Sequence, residues 1–393
     1  METSLVILLA VATGVAVASN YYVQPLLPDI RKTFGSGAGA TALIVTAAQF
    51  GYLVGLLFIL PLGDLLERRR LVVVLSLVTA AALVCAGLAP SLGLLYVAAL
   101  AIGASSAVGQ ILVAFAASLA GDAERGTVVG TVMSGLFIGI LLARTAAGFL
   151  GAAVGWRGVY YVAGGVALVL AAVLRRSLPR YREGLKLSYP RVLASVAAIF
   201  REQPVLRRRS LYGALAFAAF SALWTSLAFF LAGSPYHYGS ATIGLFGLVG
   251  VAGAVMASVA GRLADRGLQM AVTLATSAAI VVSFVLLWVG QDQLAVLLSA
   301  IVLLDLGCQG LHITNQSEIY ALLPNACSRV NAGYMTSYFL GGTFGSVGSA
   351  LCYEFFGWDA VCALGASFGA VALALATRER RFGRRLAERA ASA

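Results

Sequence analysis

The chain has few charged side chains for its length. Only 11% of its 393 residues are Asp, Glu, Lys or Arg, whereas a water-soluble protein carries about 25%. Acidic residues are scarcer than basic ones, 16 against 27, and His occurs twice. This composition excludes an ordinary soluble globular domain.

The chain also lacks motifs that would indicate a metalloprotease or a nucleotide-binding enzyme. It contains no HExxH and no Walker A motif, and its two histidines, His237 and His312, are far apart. The five Cys show neither CxxC nor zinc-ligand spacing, so we predict no disulfide framework, no metal site and no cofactor. An enzyme embedded in a membrane is thereby disfavoured, although it remains an alternative class, as does a channel.

Apolar runs long enough to cross a bilayer are abundant, since 60% of the residues are hydrophobic. A transmembrane helix needs roughly 20 such residues. Twelve runs meet this need, at 4–25, 40–62, 71–89, 94–118, 128–151, 158–175, 210–233, 242–261, 270–290, 294–317, 331–354 and 360–377. They do not alternate with the period of two typical of a membrane β-strand, so the predicted fold is an all-α polytopic membrane protein.

The basic residues are distributed unequally between the two sides of the membrane. If the N-terminus is cytoplasmic, the cytoplasmic loops and tail contain 23 of the 27 Lys and Arg. Arg31, Lys32 and Arg157 lie on the other side, and Arg144 lies within a span. The positive-inside rule then predicts that both termini are cytoplasmic. The basic face would meet anionic lipid rather than nucleic acid, and the excess of Arg over Lys favours a bacterial source and the cytoplasmic (inner) membrane.

A basic linker divides the spans into two sets of six. The predicted domains are an N-terminal bundle (1–175), a cytoplasmic linker (176–209), a C-terminal bundle (210–377) and a basic tail (378–393). Within the linker, Val192, Val196, Ile199 and Phe200 follow helical spacing. We expect this amphipathic piece to lie flat on the cytoplasmic leaflet.

The two halves repeat one another. Five residues recur with an offset of 202: Met133, Phe137, Gly139 and the pair Gly155-Trp156 return as Met335, Phe339, Gly341 and the pair Gly357-Trp358. Chance similarity between Gly/Ala-rich helices is the alternative, but a shared offset in several elements favours internal duplication. Many transporters are built from such repeats, with the substrate site near mid-membrane between them.

Two further segments carry a family resemblance. The stretch ASNYYVQPLLPDIRKTFG (18–35) resembles the opening of bacterial drug-efflux and arabinose-efflux-type permeases of the major facilitator superfamily. The loop G-x-L-A-D-R-x-G-R-R of that superfamily is similar to GDLLERRR after the second span and to GRLADRG after the eighth. Over essentially the whole chain, the resemblance implies a twelve-helix transporter of two six-helix bundles. It also implies a monomer whose partners are a small-molecule substrate, protons and the lipid bilayer.

The two matching loops predict a cytoplasmic gate, made of Asp64, Arg68, Arg69, Gly261, Asp265 and Arg266. Both acids lie where one helix leaves the membrane and the next begins, within reach of helix-end dipoles and neighbouring arginines. Such a cluster can hold the cytoplasmic side closed and then release it. Positive-inside topology alone would explain the arginines but not the two aspartates.

Polar residues within the tenth span are candidates for proton coupling, because ionisable groups inside a membrane are costly. Asp305, Gln309, His312 and Gln316 are spaced i, i+4, i+7 and i+11, and therefore share one helical stripe. We predict that Asp305 and His312, together with Arg144, couple transport to protons. A buried, hydrogen-bonded packing seam is the alternative.

Arg144 is a charge that the resemblance does not predict. Antiporters of the superfamily carry G-x8-G-x3-G-P-x2-G-G in the fifth helix; Gly130, Gly139 and Gly148 match it, and Arg144 stands where proline is expected. Arg144 lies roughly 10 Å and Asp305 roughly 16 Å below the outer membrane surface, so the two are candidates to pair. Alternatively, Arg144 extends to the outer headgroups or caps carbonyls at a helix contact.

The other candidates for the substrate cavity are aromatic and amide side chains: Tyr21, Tyr22, Gln24, Gln110, Trp224, Tyr334 and Tyr338, which join Arg144, Asp305, Gln309 and His312. Aromatic walls with few polar anchors suit amphipathic organic substrates, although Tyr and Trp are equally expected at membrane interfaces. The sequence therefore predicts a proton-driven exporter of a small organic molecule. Import or facilitated diffusion of a hydrophilic metabolite is the alternative.

Overall fold

The computed structural model describes residues 2–121, 124–181, 188–250, 263, 267–322 and 327–391, and the regular elements among them are all helical. The helices of the first part of the chain, up to residue 177, are α1 (Thr3–Ala18), α2 (Leu27–Phe34), α3 (Ala38–Val54), α4 (Arg68–Leu88), α5 (Leu92–Ser106), α6 (Val108–Leu119) and α7 (Arg125–Ser177). Those of the second part are α8 (Tyr189–Glu202), α9 (Pro204–Ala232), α10 (Ser240–Leu245), α11 (Gln269–Val289), α12 (Leu294–Leu322) and α13 (Cys327–Ala391). A 3₁₀ turn at Gln24–Leu26 and a π-helical turn at Gly55–Ile59 interrupt the first part. The all-α prediction is confirmed.

Eight helices in the described part of the chain are long and apolar enough to cross a membrane. Two of them, Thr127–Ser177 and Arg329–Arg381, have 51 and 53 residues. At 1.5 Å per residue these are roughly 75–80 Å long, more than twice the thickness of a hydrocarbon core. Each is therefore long enough for two of the predicted spans. The total of twelve stays a prediction, because much of the predicted eighth span lies outside the described residues.

Both long helices bend at a glycine of the repeated Gly-Trp pair. Gly155 has φ 73° and ψ 164°, and Gly357 has φ 76° and ψ −163°, a region that is essentially closed to residues with a Cβ. Trp156 Nε1 donates to Thr33 Oγ1 at 2.9 Å, and Trp358 Nε1 donates to Leu287 O at 3.1 Å. The duplicated pair thus supplies both the bend and an anchor beside it.

Repeated glycines also allow helices to touch backbone to backbone. A Cβ added to Gly139 of α7 would lie 2.4 Å from Gly14 O of α1, and one added to Gly341 of α13 would lie 2.1 Å from Ala214 O of α9. Small residues at helix contacts drive association in membranes because they permit this close approach. Glycines that match at the 202-residue offset therefore make the same kind of close helix contact in two places.

The chain forms two compact units, Met1–Ala198 with Leu227–Leu248, and Ile199–Ser226 with Val249–Ala393. Residues 227–248 belong to the first unit, although the sequence analysis counted them with the C-terminal bundle. The reason is again small residues: a Cβ on Gly148 would lie 2.4 Å from Ser240 O, and Thr145 Oγ1 donates to Gly244 O at 3.0 Å. The predicted domain bounds stay a prediction.

The linker contains the expected amphipathic helix, α8. Ile199 and Phe200 pack against the hydrophobic core of the second unit, which includes Leu206 and Phe217. Both residues are only partly buried by these contacts, so the prediction that the apolar stripe meets the leaflet stays a prediction. Burial against protein removes their apolar surface from water just as burial in lipid would.

Candidate functional site

Arg144 is buried in the first unit, where it is 3% exposed. Its Nε donates to Gln24 Oε1, and its Cζ lies 4.9 Å from the centroid of the Tyr21 ring. Tyr21 lies in the turns that follow the end of α1 at Ala18, and Gln24 begins the 3₁₀ turn Gln24–Leu26. Because the helix ends there, their side chains can reach the buried face of α7. Extension of Arg144 to the headgroups would need an exposed guanidinium, which the structure does not have.

The two neutral partners offset much of the cost of burying this charge. A lone Arg near the centre of a bilayer costs roughly 2.5–3.5 kcal/mol on insertion scales. A hydrogen bond to a charged group contributes about 1.5–3 kcal/mol, and a desolvated cation–π contact contributes up to about 2 kcal/mol. Gln24 and Tyr21 therefore suffice to keep the guanidinium in place. Pairing between Arg144 and Asp305 stays a prediction.

The backbone of the segment after α9 packs against Arg144. A Cβ added to Gly247 would lie 2.8 Å from Arg144 Cβ, and one added to Gly244 would lie 2.7 Å from Arg144 O. The helix runs straight through this position, since the non-helical backbone within α7 is at Gly155. The bend associated with a proline here is therefore absent, and a long side chain occupies its place.

Two more polar groups continue the site towards α3 and α6. The side chain of Gln110 hydrogen-bonds the hydroxyl of Tyr52, which lies close enough to Tyr21 to interact with it electrostatically. Tyr52 was not among the predicted residues, although its hydroxyl lies in the middle of a predicted span. We call Arg144, Gln24, Tyr21, Tyr52 and Gln110 the Arg144 cluster.

Two observations explain how the Arg144 cluster is held and where it ends. A Cβ added to Gly51, next to Tyr52, would lie 2.1 Å from Leu100 O, so α3 packs directly on the backbone of α5. The π-helical turn Gly55–Ile59 follows within one turn of Tyr52, and such turns are frequent at functional sites. Tyr22 points elsewhere and lines a small apolar cavity with Ser19 and Thr79.

The predicted polar stripe is present on α12 in the second unit. Asp305 is 3% exposed, while Gln309 and His312 are half-buried. His312 Nδ1 lies 2.9 Å from the Tyr334 hydroxyl, and the His312 ring lies 4.6 Å from that of Tyr338. The structure thus brings His312 together with two of the predicted tyrosines, both from α13.

Trp224, the remaining predicted aromatic residue of this unit, and Tyr338 belong to one continuous row of aromatic rings. Tyr338 stacks on Phe217 with centroids 4.2 Å apart. Phe217 lies 5.7 Å from Phe220, and Phe220 lies 6.0 Å from Trp224. Neither phenylalanine was predicted, although both precede Trp224 at helical spacing on the same face of α9. Tyr338 is only 8% exposed, so the row is part of the core as well as a neighbour of His312.

Part of the predicted gate can be located. Arg68 is 2% exposed; its Nε donates to Gly63 O at 2.9 Å and its Nη1 to Ser118 Oγ at 2.6 Å. Arg69 Nη1 donates to Leu178 O at 3.2 Å. These contacts all lie within the first unit and fix the loop after α3. Gly261, Asp265 and Arg266 lie outside the described residues, as does the side chain of Asp64, so the gate stays a prediction.

A buried ion pair at the start of α9 was not predicted. Arg209, which the sequence analysis placed in the linker, is 2% exposed and lies in a helix that begins at Pro204. Its Nε donates to Glu318 Oε2 at 2.7 Å and its Nη1 to Thr273 Oγ1 at 3.0 Å, and Nη2 contacts the other oxygen of Glu318. The pair connects α9, α11 and α12. A run of three arginines gives no sign of which one is buried.

Comparison with known proteins gives consistent results over nearly the whole chain. The family model described as Major Facilitator Superfamily matches residues 9–328. The chain is 46% identical to the uncharacterized transporter YgaY of Escherichia coli O157:H7 over 95% of both chains. It is 36% identical to "Probable transporter SCO4007" of Streptomyces coelicolor over 91% of this chain and 83% of the other.

More distant similarities are found to another transporter sequence and to a solved transporter structure. The chain is 24% identical to "Probable sugar efflux transporter" of Helicobacter pylori strain 26695 over 88% of both chains. A crystal structure of the nucleoside transporter NupG superimposes with a TM-score of 0.76 at 11% identity, covering 95% of this chain and 98% of that one. At that identity, the likeness concerns the fold alone.

Proposed function

Because the chain belongs to the major facilitator superfamily, we propose that this membrane transporter exports a small organic molecule in exchange for protons. Alternating access is the mechanism we propose, with a protein that works as a monomer in the bacterial cytoplasmic membrane and has both termini in the cytoplasm. Export is supported by the sugar efflux relative and by the resemblance of residues 18–35 to the opening of bacterial exporters.

The observation that carries proton coupling is Asp305, a carboxyl 3% exposed on an apolar helix. Burying a charge is costly. Proton uptake neutralises the carboxylate and removes the cost of its buried charge, and substrate binding nearby can change the same cost. His312, on the same stripe, is proposed as the second coupling group, because an imidazole can carry a proton. Arg144 is proposed to favour the charged carboxylate. Substrate and proton would then compete, which is the requirement for exchange.

The gate is proposed to comprise Asp64, Arg68, Arg69, Gly261, Asp265 and Arg266. Support comes from Arg68, whose guanidinium binds Gly63 O and Ser118 Oγ and thereby makes the loop after α3 a rigid part of the first unit. A rigid loop can transmit movement of a unit to the charges that it carries.

Everted membrane vesicles that contain the transporter test the proposal. With an imposed pH gradient, compounds from a panel of drugs, sugars, amino acids and nucleosides are scored for release of protons, measured by recovery of acridine-dye fluorescence. We expect a compound that releases protons with the wild type but not with Asp305→Asn, while downhill exchange of that compound persists. Asp292→Asn, an exposed acid in a loop, is the control. Uphill flux that survives Asp305→Asn would contradict coupling at this residue.

A further inference from the structure

We propose that the start of α4 and the end of α7 bind an anionic phospholipid, with arginines on its phosphate and valines on its acyl chains. Both helices belong to the first unit, and both are long and apolar enough to span a membrane. The proposal goes beyond substrate transport. It rests on the proposed orientation only where it names the cytoplasmic leaflet.

Hydrogen bonds hold the two helix ends side by side. The backbone N–H of Arg68, the first residue of α4, donates to Tyr181 O at 2.9 Å. The Arg68 guanidinium lies 5.3 Å from the centroid of the Tyr181 ring. The chain that leaves α7 therefore passes beside the first turn of α4. Arg180 precedes Tyr181 directly, and Arg70 belongs to that first turn, so both lie at the same membrane surface.

This surface is strongly basic. Residues 67–70 and 175–181 contain six arginines and one acid, Glu67. Two of the arginines serve the fold, since Arg68 is buried and Arg69 Nη1 donates to the first backbone carbonyl after α7. Like charges that lie near one another repel, and an anion among them offsets this repulsion. The remaining four arginines are exposed: Arg70, Arg175, Arg176 and Arg180.

Neither the internal repeat nor helix stability accounts for the arginines of α4. α11, which has 21 residues like α4, forms the ninth predicted span where α4 forms the third. It begins with Gln269, Met270 and Ala271, so a span at this place does not require a basic start. The first turn of a helix also favours acids over bases. An anionic partner gives these charges a reason.

Exposed apolar side chains follow the arginines towards the interior of the membrane. On α4, Val74 lies one turn after Arg70 and is exposed. On α7, Val173 and Val169 precede Arg176 by three and seven residues, and both are exposed. Residues at these spacings share one face of a helix. Each helix therefore offers apolar surface to an acyl chain directly next to its arginines.

This arrangement matches a phospholipid better than a free phosphate. Guanidinium groups bind phosphate oxygens bidentately, and basic pockets between membrane helices on the cytoplasmic side bind anionic lipid headgroups. The valines have no role towards a free ion, whereas acyl chains cover them. Four exposed arginines exceed the single charge of one phosphodiester, so we expect cardiolipin, with two phosphates, to bind more tightly than phosphatidylglycerol.

Native mass spectrometry of the purified full-length transporter measures binding of each lipid directly. Cardiolipin, phosphatidylglycerol or phosphatidylcholine is added to the detergent micelles at increasing concentration. We expect the cardiolipin adduct at the lowest concentration and the phosphatidylcholine adduct at the highest. Thermal unfolding is measured in parallel, since a ligand that binds the folded state raises the midpoint. Cardiolipin should raise it, and inorganic phosphate or glycerol 3-phosphate at the same concentration should not.

A double variant assigns the effect to these helix ends. Arg70→Gln with Arg176→Gln should weaken cardiolipin binding about thirtyfold, because each basic residue near a membrane surface contributes a factor of about five. Arg378→Gln with Arg380→Gln is the matched control. It removes the same charge from exposed positions of α13, and Arg378 is the 202-residue counterpart of Arg176. The control should leave cardiolipin affinity unchanged.

Three results would overturn the proposal. Equal losses in the two double variants would mean that lipid responds to the basic surface as a whole. Equal affinity for phosphatidylcholine would mean that the arginines do not recognise the headgroup. Equal stabilisation by inorganic phosphate would mean that acyl chains take no part. None of these results affects proton release in the vesicle assay, which tests transport separately.

Discussion

Loss of the Arg209–Glu318 pair should destabilise the second unit far more than loss of a similar pair at the surface. Arg209→Ala removes a guanidinium that is 2% exposed and leaves Glu318, whose side chain is 20% exposed, without its cation. Breaking a buried pair by removing one partner costs about 3–5 kcal/mol. Since some water reaches the remaining carboxylate, we expect a loss near the lower end of that range, about 3 kcal/mol.

The adjacent residue provides the control. Arg208 Nη2 lies 3.2 Å from Glu379 Oε1, with the two side chains 44% and 19% exposed. Exposed pairs contribute about 0–1 kcal/mol, so Arg208→Ala should cost less than about 1 kcal/mol. The two substitutions remove the same side chain at neighbouring positions of α9, and they differ in burial.

The free energy of unfolding can be measured by titration of mixed micelles with dodecyl sulfate, followed by circular dichroism. The double variant Arg209→Met with Glu318→Met should recover most of the loss, because replacing both partners of a buried pair by apolar residues is often neutral. Equal effects of Arg208→Ala and Arg209→Ala, or a double variant that is as unstable as the sum of its parts, would refute the reasoning.

Two further predictions concern single contacts. Tyr334→Phe removes the hydroxyl that lies 2.9 Å from His312 Nδ1, and should cost about 0.5–1.5 kcal/mol of stability and change the pH dependence of transport, measured as flux between pH 5 and 8. Gly341→Val should abolish folded protein in size-exclusion chromatography, because its Cβ would lie 2.1 Å from Ala214 O. Gly130→Val, which meets nothing within 4 Å, should not.

The fold was predictable because its determinants are local or repeated. Long apolar runs define spans through the thickness of the bilayer, and the all-α class follows from them. The Gly-Trp pair, recognised as a repeat, is the point at which both long helices bend. The repeated pair therefore marks the position of each bend in the sequence, because only a residue without a Cβ readily adopts such a φ.

The side-chain partners were not predictable in the same way. The sequence placed Arg144 inside the membrane and made Gln24 and Tyr21 cavity candidates, but the contact between the three depends on where α1 ends. The stripe on α8 could not indicate its partner, since lipid tails are as apolar as leucine and Ile199 packs on protein. Arg209 was missed because charge alone does not distinguish a solvated cation from one that is buried beside Glu318.

The duplicated Gly-Trp bend also has a spectroscopic consequence. The chain contains four tryptophans, at 156, 224, 288 and 358, and Trp156 is the one that belongs to the first unit. Replacing the other three by Phe would leave an emission signal that reports on that unit alone. Arg157 lies 4.2 Å from the Trp156 ring, so the emission should respond to movement of this guanidinium. The bend at the repeated Gly-Trp pair thus carries its own fluorophore.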